Sequence, residues 1–213
     1  MKIKQLDEIL ANKIAAGEVI ERPANVVKEL VENSIDASSS KIDIIIEEGG
    51  MNLIEIVDDG LGMDQEDAKL CFSRHATSKI TNDQDLFCIQ TLGFRGEAIP
   101  SIASISHFEL KTSDGQSGST VVYEFGKFIE QKQSDLKRGT KITVTKLFQN
   151  VPARLKYVKS VNAEFAHIQN YVERLSLSHP DIAFTLMHNG KVTYKTNGNC
   201  QLLEVIQQIY GLS

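Results

Sequence analysis

Cysteine is scarce in this sequence. Its three copies, Cys71, Cys88 and Cys200, are far apart and odd in number. They match neither a zinc spacing nor a disulfide framework, so reduced, buried thiols are expected. No apolar run is long enough to span a membrane, so no membrane association is expected. The opening MKIKQLDEIL lacks the apolar core of a signal peptide, which makes the cytoplasm the expected compartment. Positive charge is not in excess either. The net charge of −5 gives no reason for nucleic acid to bind across the whole surface, although a local basic patch is compatible with it. There is no internal repeat and no low-complexity stretch. What is there is ample for a core: 213 residues, 41% of them apolar, enough for one large domain or a domain and a half.

The stretch around which the chain is organised is Pro23–Ala37, PANVVKELVENSIDA. Pro23 suits a first helical position, where its missing N–H costs nothing. Val27, Leu30, Val31 and Ile35 make one apolar face. Asn25, Glu29, Glu32, Asn33 and Asp36 fall on the opposite face. Glu29, Asn33 and Asp36 are spaced i, i+4 and i+7 and stack along one line. Alone, such a line equally describes the solvated face of a surface helix.

Two β-branched runs follow, Ile42–Glu47 and Leu53–Val57, joined by Glu48-Gly49-Gly50-Met51, and a hairpin is expected. The second run leads into Asp58-Asp59-Gly60-Leu61-Gly62-Met63. An ionised aspartate accepts hydrogen bonds only, so it can take the proton of an exocyclic base amino group. Glycines beside it remove side chains where a flat ring must approach the backbone. A plain Asp-Gly turn has the same letters. Glu29 and Asn33 just upstream strengthen the functional reading.

Residues 64–99 read as a long loop region with short helices. Asp64–Phe72 is expected to be helical with Asp64 as its cap. Arg74-His75-Ala76-Thr77-Ser78-Lys79 and Thr91-Leu92-Gly93-Phe94-Arg95-Gly96-Glu97-Ala98-Ile99 follow. The second opens into an apolar stretch, Ala98–Ile105, whose Pro100 fits only a first turn, so a helix starts near Glu97. A glycine-rich loop entering a helix presents unpaired N–H groups to phosphate. The spacing is neither a Walker G-x-x-x-x-G-K-[ST] nor a strand-fed G-x-G-x-x-G, which argues against a P-loop enzyme and a Rossmann fold. His75 has no companion at ligand spacing, so a structural histidine is expected.

Beyond residue 105 the pattern is strand-rich. Phe108–Thr112, Val121–Phe125, Phe128–Gln133 and Thr140–Leu147 alternate apolar and polar residues, with turns at Gly115–Gly118 and Asp135–Gly139, and suggest a meander packed on the earlier helices. Residues 148–154 read as a loop, Asn162–Leu177 as a helix, Ile182–Lys195 as a hairpin turning at Asn189-Gly190, and Leu202–Ile209 as a last helix.

The segments KELVENSIDA, VDDGLGM, RHATSK, TLGFRGEA and NVPAR stand in the order found in the MutL DNA mismatch-repair family, which the chain resembles from about Leu10 to Arg154. That family belongs to the GHKL ATPase superfamily, with gyrase-type topoisomerases, a class of heat-shock chaperones and sensor histidine kinases. GFRGEA with RHATSK marks the mismatch-repair branch. The acid-Asn helix with D-x-G-x-G is shared across the superfamily. The resemblance implies an α+β fold: a two-layer α/β sandwich with a mixed, largely antiparallel sheet and helices on one face. It implies an ATP-binding domain over residues 1–200, with an N-terminal arm at 1–20 and an ATP lid at 71–100, and the start of a second, transducer-like subdomain at 201–213.

The implied ligands are ATP and Mg²⁺. Glu29 resembles the general base that activates the attacking water, and Asn33 the amide oxygen that binds Mg²⁺. Asp58 resembles the adenine reader, with Gly62 under the ring. Thr77, Ser78 and Lys79, with Gly93, Phe94, Arg95, Gly96, Glu97, Ala98 and Ile99, resemble the lid around the triphosphate. Thr140, after Gly139, is similar to a late threonine near the base. Catalysis would be mainly positioning and charge neutralisation.

The family couples ATP binding to homodimerisation, which implies a monomer for this chain alone, a partner of the MutS mismatch-recognition type for the intact protein, and DNA held mostly elsewhere. Arg154, Lys156 and Lys159 could meet DNA phosphates or form a solvated basic loop. The family's γ-phosphate lysine lies in a following subdomain and its dimerisation region at the C-terminus. The chain is therefore expected to be an N-terminal fragment with weak turnover. The competing expectation is a nucleotide-responsive interaction module in which hydrolysis only resets a binding state.

Overall fold

The computed structural model describes Ala16, residues 20–74, Ala76, Thr77, Leu92 and residues 96–211. Helix α1 spans Pro23–Asp36 with Pro23 in its first turn. The Arg22 N–H donates to the Asn25 side chain at 3.1 Å, so Asn25 serves the helix start. Val26, Val27, Leu30 and Val31 are fully buried. They lie over β1 (Lys41–Glu47) and β2 (Leu53–Asp58), an antiparallel hairpin closed through a 3-10 turn at Glu48–Gly50.

Helix α2 (Gln65–Leu70) starts on Asp64, whose carboxylate accepts from the Glu66 and Asp67 N–H groups. Helix α3 is Ala98–Ser104. Strands β3 (His107–Ser113), β4 (Gly118–Glu124) and β5 (Lys127–Gln133) form a meander, but β6 (Gly139–Thr145) leaves it. It returns to lie antiparallel between β3 and β2. The expected four-strand meander is therefore corrected. Alternation marks a strand's faces but not its neighbours.

Residues expected as loop contain one helical turn, α4 (Pro152–Leu155), begun by Pro152 at its first position. Helix α5 (Val161–Ser178) is capped by Ser160 and packs along α1. Strands β7 (Ala183–His188) and β8 (Lys191–Lys195), and helix α6 (Leu202–Tyr210), complete the order.

The eight strands run β5-β4-β3-β6-β2-β1-β7-β8. All neighbours are antiparallel except β1 and β7. Burial alternates along the central strands. Ile42, Ile44, Ile46, Ile54, Ile56, Phe108 and Leu110 enter the core. Between them Glu55, Glu109, Lys111 and Lys141 carry ion pairs on the far face, Lys141 to Glu55 at 2.8 Å. The sheet thus has one helix-covered face and one polar face, the mixed α/β sandwich expected.

The thiols differ from the sequence reading. Cys71 is half-buried, and burial pushes its thiol up to about 12, with Asp67 adding to the effect. Cys200 is exposed. A β8–α6 connection on the surface leaves a small side chain there uncovered. Cys88 lies outside the described residues, as do His75 and most of the expected arm. Of that arm, Ala16 is buried and helical, and its carbonyl accepts from the Ile20 N–H at 2.7 Å. Among the described residues no helix is long and apolar enough to cross a membrane.

Candidate active site

Asp58 ends β2 under the C-terminal half of α1, and only 9% of it is exposed. Its carboxylate accepts from the Ser34 hydroxyl at 2.8 Å and from the Gly60 N–H at 3.0 Å. Ser39 steadies this corner by donating its hydroxyl to the Ser34 carbonyl at 2.6 Å. Burial pushes the Asp58 carboxyl above its ordinary range, and donors from Ser34, Gly60, Ser39 and the Thr140 backbone offset only part of that.

The sign of the linkage follows. A carboxyl raised by burial holds its proton more tightly folded than unfolded, so its ionisation opposes folding. The penalty is full above the folded value, shrinks as pH falls through it, and is gone below the ordinary 3.8. Asp58→Asn should therefore raise the melting temperature at pH 7, with the gap closing near pH 4. Thermal melts at both pH values check this, and a variant less stable than the parent at pH 7 contradicts it.

Asp59, one residue on, has a different task. It accepts from the Ser40 and Lys41 N–H groups at 2.8 and 2.9 Å and from the Ser40 hydroxyl at 2.5 Å. Partial burial would raise its carboxyl, but these donors together hold it below the ordinary range. Asp59 pins the start of β1 and leaves Asp58 alone at the site.

Strand register brings in threonines from far along the chain. Thr140 pairs across from Asp58 on one side and from Thr112 on the other. The two hydroxyls are 3.1 Å apart. The Thr112 hydroxyl also accepts from the Met63 N–H at 2.9 Å, tying the Gly60–Met63 loop to the sheet. Gly62 in that loop has φ +68°, and a Cβ there would lie 1.9 Å from the Ser113 carbonyl oxygen. Its lack of a side chain is demanded by backbone contact.

Glu29 and Asn33 sit on α1, half-buried, with Asn33 next to the Ser34 that holds Asp58. Lys28 Nζ lies 3.5 Å from Glu29 Oε1. Glu32, expected on the same solvated face, is instead buried. Its Oε1 accepts from the Tyr171 hydroxyl of α5 at 2.5 Å. Burial raises the Glu32 carboxyl, and burial also pushes the Tyr171 hydroxyl up, with Glu32 adding to it. A helical wheel cannot show where a second helix docks.

The two expected lid segments meet. Gly96 has φ +60°, and a Cβ there would lie 2.4 Å from the Ala76 carbonyl oxygen, so residue 96 is pressed onto the segment that carries Thr77. Thr77 is half-buried. Glu97 stands at the N-cap position of α3 without a side-chain capping bond, and Ala98 and Ile99 form its first turn, with Ile99 packed on the core. The Leu92 N–H donates to Asp36 Oδ1 at 3.1 Å, fastening this region to the end of α1. Ser78, Lys79, Gly93, Phe94 and Arg95 lie outside the described residues. So Glu29, Asn33, Asp58, Gly62 and Thr140 stand along α1 and the adjacent ends of β2 and β6. Ser34, Thr112, Glu32 and Tyr171 were missed by sequence reasoning.

Residues 20–156 match the family described as histidine kinase-, DNA gyrase B- and HSP90-like ATPases. The chain belongs to that ATPase family. Relatives within it include MutL proteins. The DNA mismatch repair protein MutL of Listeria monocytogenes serotype 4b (strain F2365) is 57% identical over 212 residues, 99% of this chain and 35% of that protein. MutL of Bacillus pumilus (strain SAFR-032) is 55% identical over 211 residues, 99% of this chain and 33% of that protein. The chain thus spans about a third of the length of these relatives. Among solved structures, the Aquifex aeolicus MutL ATPase domain complexed with ADP superposes with a TM-score of 0.72 at 28% identity, covering 92% of this chain and 71% of that one.

Proposed function

We propose that this chain is the ATP-binding and ATP-hydrolysing module of a MutL-type mismatch-repair protein. The observation that carries the reading is the buried Asp58, the one carboxylate facing the site from β2, with Thr140 in register beside it and Glu29 and Asn33 on the helix above. The ionised Asp58 accepts from the exocyclic amino group of adenine, and Thr140 flanks the base. The Gly60–Met63 loop lies against the ring. Residues 71–100 close over the triphosphate, with the N-terminal turn of α3 nearby.

Glu29 takes the proton of the attacking water and holds that water in line. Magnesium fits this donor set. The Asn33 amide oxygen is a neutral hard donor, and no group of three or more His, Cys, Asp or Glu among the described residues could hold a metal by itself. A cation held by one amide, the phosphates and water matches those donors. When bound, Mg²⁺ would neutralise charge on the phosphates.

The same reading extends to the whole protein. Residues 201–213, with α6 among them, belong to a second, transducer-like subdomain. ATP drives homodimerisation through the arm at residues 1–20, and the cycle couples a MutS-type recognition protein on DNA to later repair steps in the cytoplasm. The test is calorimetry of a non-hydrolysable ATP analogue with Mg²⁺ in the parent, Asn33→Ala and Asp58→Ala. Each variant should weaken binding by about 10²-fold, since Asp58→Ala leaves the adenine amino group without its acceptor and Asn33→Ala removes the amide oxygen that would hold Mg²⁺. Unchanged binding in both overturns the site.

A further inference from the structure

Tyr171 belongs to no motif and lies on α5, across from α1. Its hydroxyl donates to Glu32 Oε1 at 2.5 Å. The same oxygen is 3.8 Å from Lys28 Nζ, and Lys28 Nζ is 3.5 Å from Glu29 Oε1. One line of polar contacts therefore runs from α5 to the Glu29 carboxylate. We infer that Tyr171 is a positioning residue for Glu29, acting through Glu32 and Lys28.

The physical case rests on where the flexibility is removed. The Glu32 side chain is 10% exposed, so its carboxylate needs partners inside the fold. Tyr171 supplies one that is rigid and neutral. Lys28 is 42% exposed, and an isolated lysine at such a surface would hold a neighbouring glutamate loosely. With Glu32 fixed from behind, the Lys28 ammonium lies between an anchored carboxylate and that of Glu29. Its separations from the two differ by little, so it restrains Glu29 without forming a tight pair that would block proton uptake. A base confined to one orientation meets its water more often in line.

This inference rests on Glu29 as the base. The experiment is steady-state ATP hydrolysis by the full-length protein, with analogue binding in parallel. Tyr171→Phe should lower kcat about 3–10-fold and leave KM and analogue affinity within about twofold, the pattern of a lost transition-state interaction. Lys28→Met should do the same. The double variant should be no slower than the worse single, because both act on one chain of contacts. Additive losses, a change in KM instead of kcat, or parental kcat in Lys28→Met would overturn the inference. If Tyr171→Phe does not fold, Glu32→Gln, which removes the charge linking Tyr171 to Lys28, should give the same fall in kcat, and parental kcat there overturns the inference. Glu29→Ala separates the two failures. Turnover that survives it removes the base reading, whereas turnover lost there with parental kcat in the other variants removes only the role of Tyr171.

Discussion

Glu29→Ala is expected to lower ATP turnover by about 10²–10⁴-fold while leaving analogue binding within a few-fold of the parent. The asymmetry comes from where the residue stands. Asp58, Ser34, Thr112 and Thr140 form a connected, buried set at one sheet end, where the base is proposed to bind. Glu29 lies a turn up α1 from Asn33, half-buried, with Lys28 as its cation. Removing its carboxylate takes away a proton acceptor and leaves the buried set intact. Phosphate-release assays against calorimetry on the same preparations measure the split. In the intact protein the variant also separates the two functional classes. Repair that persists without turnover favours a nucleotide-responsive interaction module. Repair that fails with binding preserved favours a hydrolysis-driven cycle.

Much of this site could be read from the letters because its parts are local. Pro23 and the spacing of Val27, Leu30 and Val31 define α1, and the line Glu29–Asn33 needs only helical geometry. Asp58 at a strand end before two glycines is likewise a local signal. The residues that escaped are those whose roles are created by packing. Thr112 acts because β6 returns beside β3, bringing it next to a threonine 28 positions later. Glu32 reads as solvated on α1 alone and becomes buried once α5 places Tyr171 against it. Asp59 shares the motif with Asp58, yet faces Ser40 and Lys41. Asp59 lies one residue past the end of β2, where the start of β1 brings the Ser40 and Lys41 N–H groups onto it. The contact of Gly96 on Ala76 joins segments 20 residues apart through a backbone approach that no composition rule encodes.

Gly62→Ala should be the most damaging glycine-to-alanine change among the described residues. The added Cβ would sit 1.9 Å from the Ser113 carbonyl oxygen, 2.5 Å from its carbonyl carbon and 3.1 Å from the Gly139 carbonyl oxygen. All three are backbone atoms of paired strands, Ser113 in β3 and Gly139 in β6, so no side chain can swing aside. The positive φ of +68° adds strain of about 1 kcal/mol for any residue with a Cβ. The loop must then lift from the sheet, breaking the Met63 N–H to Thr112 hydrogen bond. A loss of about 3 kcal/mol or more of folding stability is expected, at the severe end for a point change. Chemical denaturation would show it as a lower midpoint at an unchanged slope. The effect on nucleotide should exceed that on stability. Lifting the loop displaces Gly60, whose N–H holds Asp58, so even the folded fraction would present the carboxylate in the wrong place. Gly190, by contrast, turns the β7–β8 hairpin at φ +76° with no atom within 4 Å of its absent Cβ. Gly190→Ala shares the dihedral strain without the collision and should cost only about 1 kcal/mol, leaving nucleotide affinity unchanged. Equal losses in the two variants would mean that the dihedral, not the approach of the loop to β3 and β6, sets the requirement at Gly62.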